Sequence, residues 1–275
     1  MQQQAIAWRI AGYSVGLVPT MGALHAGHDR LVERARQESQ RVVTSIFVNP
    51  TQFGPGEDFA RYPRPFEDDL ARLRRLGVDA IFHPPVEQMY PPAFKTRVDP
   101  GPLAALLEGQ SRPGHFAGVL TVVLKLIQLT QASRAYFGQK DFQQLVLVRQ
   151  LVRDFALPVR IVAIPTVREA DGLAISSRNA YLTPQERRVA PGLYRALKSA
   201  GERFGAGEAD PAAIERAVRE DLVRDPQLAV DYVCVVDDVT LRTPERAVPG
   251  NVLVAAVKLG SVRLIDNVVL GAERL

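Results

Sequence analysis

Two histidines three residues apart, His25 and His28, close the run Pro19-Thr20-Met21-Gly22-Ala23-Leu24-His25-Ala26-Gly27-His28, and the chain contains only four histidines in all. Ahead of the run, Val15-Gly16-Leu17-Val18 is apolar enough for a buried strand; behind it, Leu31, Val32 and Ala35 recur at helical spacing. The segment reads as a strand, a glycine-bearing turn and a helix N-terminus. In an open α/β sheet such a turn lies at the carboxyl end of a strand, where ligands bind. The N–H groups of a helix start suit an anion such as phosphate, and two imidazoles on the first turn add hydrogen bonds or positive charge to it. Taken alone, the pattern HxGH is also compatible with a turn carrying two incidental histidines.

Other stretches offer complementary chemistry. Asn49-Pro50-Thr51-Gln52-Phe53 follows a second apolar run, and neutral amides there can read hydroxyl and carboxylate oxygens without a charge to desolvate. Gly138-Gln139-Lys140-Asp141 is a third strand-to-helix turn, with a lysine as a point charge for phosphate and Gln144 just beyond. Ile175-Ser176-Ser177-Arg178 sets two hydroxyls beside a guanidinium, a natural phosphate clamp. Arg112 and His115 share a glycine-bearing loop with no role that the sequence defines. Asp68 and Asp69 read as helix-start acids favoured by the dipole, with assistance to Mg²⁺ as the alternative. Cys234, the single cysteine, reads as a buried strand thiol, and Arg263-Leu264-Ile265-Asp266-Asn267 as strand structure.

The elements that must position these residues alternate regularly. Strands are predicted at 41–48, 78–82, 135–137 and 159–164, and helices at 66–76, 117–131 and 141–154. Such alternation marks a doubly wound parallel sheet, a Rossmann-like α/β fold. Past Pro165 the order changes. Thr183-Pro184-Gln185-Glu186 is a capping box opening one helix to about residue 204, Asp210-Pro211 opens another, and strands at 230–236, 252–257 and 261–269 follow. The expected organisation is therefore a first domain over 1–166 and a smaller α+β domain over 167–275. Residues 49–65, rich in Gly and Pro, form a loop too long for a simple connector; for its stretch 54–65 a lid and a subunit contact are both open.

Composition narrows the class. With 47% hydrophobic and 23% charged residues over 275 positions, the chain is an ordinary globular protein with a substantial core. Net charge +4 permits anionic partners, but the arginines are dispersed and aromatics are only 7%, which argues against a nucleic-acid surface. No secretory signal or membrane-spanning run is expected, and one cysteine leaves no internal disulfide. A cytoplasmic setting follows as an expectation.

The motifs resemble the pantothenate synthetase family within the HxGH nucleotidylyltransferase superfamily. Besides PTMGALHxGH, the chain carries FVNPxQFGxxEDxxxYPR, RPGHFxGVxTVVxKL, FGxKDxQQL, PTVRExDGLAxSSRNxYLxxxER and RLIDN in the family's order. The resemblance implies an ATP-dependent ligase joining pantoate to β-alanine through an acyl-adenylate. It implies ATP contacts at Met21, Gly22, Ala23, Leu24, His25, Ala26, Gly27, His28, Gly138, Gln139, Lys140, Asp141, Val167, Ile175, Ser176, Ser177 and Arg178. Of these, His25, His28, Lys140 and Arg178 would be catalytic, while Gln52 and Gln144 would hold pantoate. It further implies Mg²⁺ carried mainly by the ATP phosphates, a homodimer, and closure of the smaller domain over ATP. The family often has Glu where Ala26 stands and an apolar residue where Asp29 stands; Asp29 would favour a protonated His28 if the side chains met. The competing readings are another HxGH enzyme such as phosphopantetheine adenylyltransferase, and a non-enzymatic RNA-binding module.

Overall fold

In the computed structural model, residues 1–272 are described, and the chain divides into two compact units: Met1–Gly138 with Gln143–Pro165, and Gln139–Phe142 with Thr166–Leu275. The four-residue turn after Gly138 thus groups with the second unit, although its flanks belong to the first.

The first unit is built on five parallel strands, β1 (Val15–Thr20), β2 (Arg41–Ile46), β3 (Ala80–Phe82), β4 (Arg134–Gly138) and β5 (Arg160–Ile164), in the order β3-β2-β1-β4-β5. The chain winds outward from β1 to β3 and then returns to start again at β4. The β1/β4 boundary is therefore the topological switch point, where ligands of open α/β sheets bind. Its helices are α1 (Gln2–Ile10), α2 (Ala26–Glu38), α3 (Phe66–Arg75), two single turns α4 (Val86–Met89) and α5 (Glu108–Ser111), α6 (His115–Thr130) and α7 (Phe142–Asp154). Strand alternation assigns the two faces. Leu17 of β1 packs with Val119, Leu120, Val123, Leu145 and Val148 from α6 and α7, whereas its neighbour Val18 packs with Leu31, Val32, Ala35 and Leu73 from α2 and α3. Both strand residues are fully buried, and truncating Leu17 to Ala would cost about 2–5 kcal/mol.

In α3 the sequence places Glu67, Asp68 and Asp69 in the first turn and Arg72, Arg74 and Arg75 in the last, matching the helix dipole at both ends. Helix α1 is absent from the sequence-based expectation; only Ala5 of it is buried, so it lacks the apolar stripe by which surface helices are recognised.

In the second unit, α8 (Pro184–Val189), α9 (Gly192–Gly205) and α10 (Pro211–Leu222) accompany an antiparallel sheet of β6 (Ala229–Val236), β7 (Val252–Leu259) and β8 (Val262–Val269). Leu193, Leu197, Ile214 and Val218 bury against Val233, Val235, Leu253 and Val257. The Thr183–Glu186 capping box is present, with Thr183 Oγ1 accepting from the Glu186 N–H at 3.3 Å and Glu186 Oε2 from the Thr183 N–H at 2.8 Å. The single helix expected from there to about residue 204 is instead two. The break falls at Ala190-Pro191, where Pro191 has no N–H to donate back to the preceding turn, although Ala190 itself keeps helical backbone at φ -46° and ψ -38°. Cys234 lies on β6 but is only partly buried; burial and the nearby Glu215 push its thiol upward, the wrong direction for a nucleophile.

Candidate active site

The turn after β1 is held open by a buried carboxylate. Gly22 and Ala23 both adopt left-handed backbone, φ 82° and 52°, which aims the next N–H groups inward. Asp69 of α3 receives them, Oδ2 from the Ala23 N–H at 2.8 Å and Oδ1 from the Leu24 N–H at 2.7 Å. A Cβ at Gly22 would stand 2.9 Å from Asp69 Oδ2, so glycine is required by space as well as by φ. With both oxygens engaged on backbone, Asp69 is a turn anchor; Asp68 is exposed. Among the described residues no group of three or more His, Cys, Asp or Glu side chains could hold a metal.

The histidines cap the helix that follows. His25 is the N-cap of α2: its Nδ1 accepts from the Gly27 N–H at 3.2 Å, and His28 Nδ1 accepts from the His25 N–H at 3.2 Å. This is a capping box made of imidazoles, the rings 4.1 Å apart. Because each Nδ1 accepts, the neutral rings carry their proton on Nε2. The motif thus fixes two tautomers, both of which present an Nε2–H donor. Asp29 does not serve His28: Arg72 grips it at 2.6 and 2.9 Å and also donates to the Leu24 carbonyl at 3.2 Å. That pairing raises the Arg72 guanidinium further.

The turn after β2 is organised by Asn49. Its Oδ1 accepts from the Tyr90 hydroxyl at 2.8 Å and the Thr51 hydroxyl at 2.9 Å, while Nδ2 donates to Gln52 Oε1 at 3.0 Å and to the Gly118 carbonyl at 3.2 Å. Gln52, itself buried, is oriented by this: with Oε1 occupied, its amide NH₂ is the side presented, 3.3 Å from Met21 Sδ. Helix α6 runs so close that a Cβ on Gly118 would lie 2.1 Å from the Thr51 carbonyl oxygen. The Gln52 carbonyl in turn accepts from His115 Nδ1 at 2.8 Å, and His115 Nε2 accepts from Arg112 at 3.1 Å. Burial first, then the Arg112 charge, lowers the His115 pKa to about 4, so this imidazole is a neutral strut. Arg112 closes on Glu57 at 2.6 and 2.8 Å; although burial opposes ionisation, that contact holds the Glu57 carboxyl below the usual range. Loop 49–65 folds on itself around Phe53, Phe59 and the buried Tyr62, with Arg64 donating to the Phe59 and Tyr62 carbonyls.

In the second unit, Lys140, Ser176 and Asn179 line a cavity of about 20 Å³ together with Leu173, Tyr194 and Asp266. That volume admits about one water molecule and no nucleotide. Ser176 accepts from the Arg178 N–H at 3.3 Å and so caps the short helical turn Ser177–Tyr181. Val167 and Ile175 are joined by a backbone bond of 3.0 Å. Arg168, its guanidinium carbon 3.6 Å from the centre of the Tyr194 ring, clamps Asp266 through both oxygens. Burial raises the Asp266 carboxyl, and this guanidinium opposes it.

The family described as pantoate-beta-alanine ligase matches residues 1–269. The chain belongs to the pantoate–β-alanine ligase family. It is 55% identical over 260 residues to the pantothenate synthetase of Chloroflexus aurantiacus, covering 94% of this chain and 92% of that protein, and 53% identical over 265 residues to that of Moorella thermoacetica, covering 96% and 93%. A crystal structure of pantothenate synthetase from Thermus thermophilus superposes with a TM-score of 0.92 at 52% identity, covering 97% of each chain. A pantoate-β-alanine ligase from Francisella tularensis, complexed with beta-gamma ATP and beta-alanine, superposes with a TM-score of 0.79 at 35% identity, covering 98% and 96%.

Against this family background the expected residues fall into two sets. Met21 to His28 and Gln52 come together in the first unit, joined at the Met21–Gln52 contact. Gly138 ends β4 there, and Gln144 lies half-buried on α7. The second unit brings Lys140 and Ser176 to one cavity, with Ser177 and Arg178 on the adjoining turn, while Asp141 is exposed. Sequence reading missed the anchoring by Asp69, Asn49, Gly118 and Asn267. For Asp69 the signal is faint: a third acid in a helix start needs no further role. For Gly118 a signal existed, a glycine inside a strongly apolar helix.

Proposed function

We propose that this protein condenses pantoate with β-alanine to pantothenate at the expense of ATP. A carboxylate does not acylate an amine at neutral pH, because oxide would have to leave. The pantoate carboxylate oxygen therefore attacks the α-phosphorus of ATP and pyrophosphate departs, giving pantoyl-adenylate. The β-alanine nitrogen then attacks the acyl carbon, AMP leaves, and the amine gives up a proton. Positioning and preorganised charge carry most of this chemistry.

The observation that carries the reading is the imidazole capping box, which sets two Nε2–H donors on the first turn of α2 beside the switch point. In this reading His25 and His28 donate to phosphate oxygens, and the Met21–Ala26 and Gly27 backbone and the Gly138–Asp141 turn contact ATP. Lys140 and Arg178 offset charge on the phosphates, Ser176 and Ser177 orient them, and Val167 and Ile175 lie at the adenine. Gln52, with its NH₂ presented by Asn49, donates to a pantoate oxygen, and Gln144 supplies a second amide. Mg²⁺ would ride on the triphosphate, supplying charge neutralisation there; the engagement of both Asp69 oxygens on backbone supports this over a carboxylate cage. A homodimer and a cytoplasmic setting belong to the same proposal by family resemblance.

Exchange of labelled pyrophosphate into ATP tests it. Exchange that needs pantoate and is lost in His28→Ala, with Gln52→Ala raising the KM for pantoate, is the expected result. Exchange supported by phosphopantetheine instead, or RNA retention without exchange, would overturn it.

A further inference from the structure

The buried end of β8 carries an arrangement that the reaction above does not use. Asn267, 3% exposed, donates through Nδ2 to the Gln139 carbonyl at 3.0 Å and the Lys140 carbonyl at 3.1 Å, and its Oδ1 accepts from Gln139 Nε2 at 3.2 Å. All three bonds of this amide thus go to the turn that bears Lys140. The asparagine is itself secured from behind. Its N–H donates to Asp266 Oδ1 at 2.8 Å, its carbonyl accepts from Arg168 at 3.4 Å, and Arg168 and Asp266 pair through both oxygens. These bonds account for the allegiance of Gln139–Phe142 to the second unit despite the covalent link to β4.

A turn needs only one or two such bonds to satisfy its carbonyls, and water could provide them at no cost in buried polar groups. The structure instead commits a side-chain chain of three residues, Arg168, Asp266 and Asn267, to fixing two consecutive peptide planes. The peptide planes on either side of Lys140 together set the direction in which its Cα–Cβ bond leaves the turn. We infer that Asn267 is a positioning residue for Lys140, so that the RLIDN segment serves adenylate formation and is more than strand structure. The inference rests on the reading that Lys140 acts on the ATP phosphates.

The test compares wild type with Asn267→Ala, Asn267→Asp, Lys140→Ala and the Asn267→Ala/Lys140→Ala double variant in pantoate-dependent pyrophosphate exchange, with thermal unfolding in parallel. Misplacement of a charged group by about 1 Å costs on the order of 100-fold, so kcat/KM for ATP should fall roughly that far in Asn267→Ala. The KM for pantoate should stay within about twofold, and the double variant should be no worse than Lys140→Ala by more than about twofold, since one residue acts through the other. Asn267→Asp keeps shape and the acceptor but sets an oxygen against two carbonyls; it should lose ATP turnover as well, and it carries the test where Asn267→Ala unfolds. Wild-type ATP kinetics in both Asn267 variants, or losses that multiply in the double variant, would overturn the positioning role while leaving Lys140 in place. Wild-type exchange in Lys140→Ala would overturn the underlying assignment, and the inference with it.

Discussion

Replacing Asp69 by Asn should damage both the stability and the adenylation chemistry of this protein, although Asp69 touches no substrate in the proposed mechanism. The carboxylate accepts from the Ala23 and Leu24 N–H groups at 2.8 and 2.7 Å while 2% exposed. A hydrogen bond to a charged group contributes about 1.5–3 kcal/mol, and a buried donor left unpaired costs about 1–3 kcal/mol. Asparagine keeps one acceptor and turns an NH₂ toward the second N–H, so one bond is lost and one donor stranded. The sum is ~3 kcal/mol or more, a Tm lower by roughly 6–12 °C. The turn also stores strain, because Ala23 at φ 52° sits in backbone that costs an alanine about 1–2 kcal/mol. Once the anchor weakens, that strain favours relaxation of the turn and with it the frame of the His25–His28 cap. Measured well below the new Tm, pyrophosphate exchange should therefore fall roughly 100-fold in kcat/KM for ATP. Adding Ala23→Gly to Asp69→Asn should return about 1 kcal/mol, since glycine carries no penalty at this φ. An Asp69→Asn protein with unchanged Tm and unchanged exchange would refute the anchoring argument outright.

The other expectations are simpler. His115, with a folded pKa of about 4 against 6.5 ordinarily, binds its proton less readily folded than unfolded, so stability is complete above pH 6.5 and drains away as pH falls toward 4. Urea unfolding should show about 2 kcal/mol less stability at pH 5 than at pH 7 from this residue, a slope that His115→Asn flattens. Gly118→Ala drives a Cβ into the Thr51 carbonyl at 2.1 Å, so α6 must shift from the Asn49-Pro50-Thr51-Gln52 turn. Overpacking of this kind costs about 1–3 kcal/mol, and the KM for pantoate should rise about tenfold while that for ATP moves less.

What the sequence disclosed and what it concealed divide along a physical line. Periodicity reports burial, so the sheet strands, α2, α3 and α6 were legible, whereas α1, with one buried residue, was not. Motifs report residue types that chemistry needs, so His25, His28, Gln52 and Lys140 stood out. Anchors are different: Asp69 lies 45 residues or more from the turn it holds, and Asn267 lies 127 residues from the carbonyl of Lys140. Only folding brings such partners together, and their local surroundings already explain them, a helix-start acid in one case and a strand residue in the other. The pattern extends to His115 and Arg112, for which the sequence defines no role but whose side chains end on Glu57 and the Gln52 carbonyl. Three candidate groups, traced through hydrogen bonds to their support, end on residues whose anchoring role sequence reading missed: the His25–His28 cap follows a turn held by Asp69, Gln52 is oriented by Asn49, and Lys140 by Asn267. Substitutions at these supports should therefore mimic substitutions at the candidate residues themselves in the step they impair, and the Asp69 and Asn267 variants together test that equivalence in each unit separately.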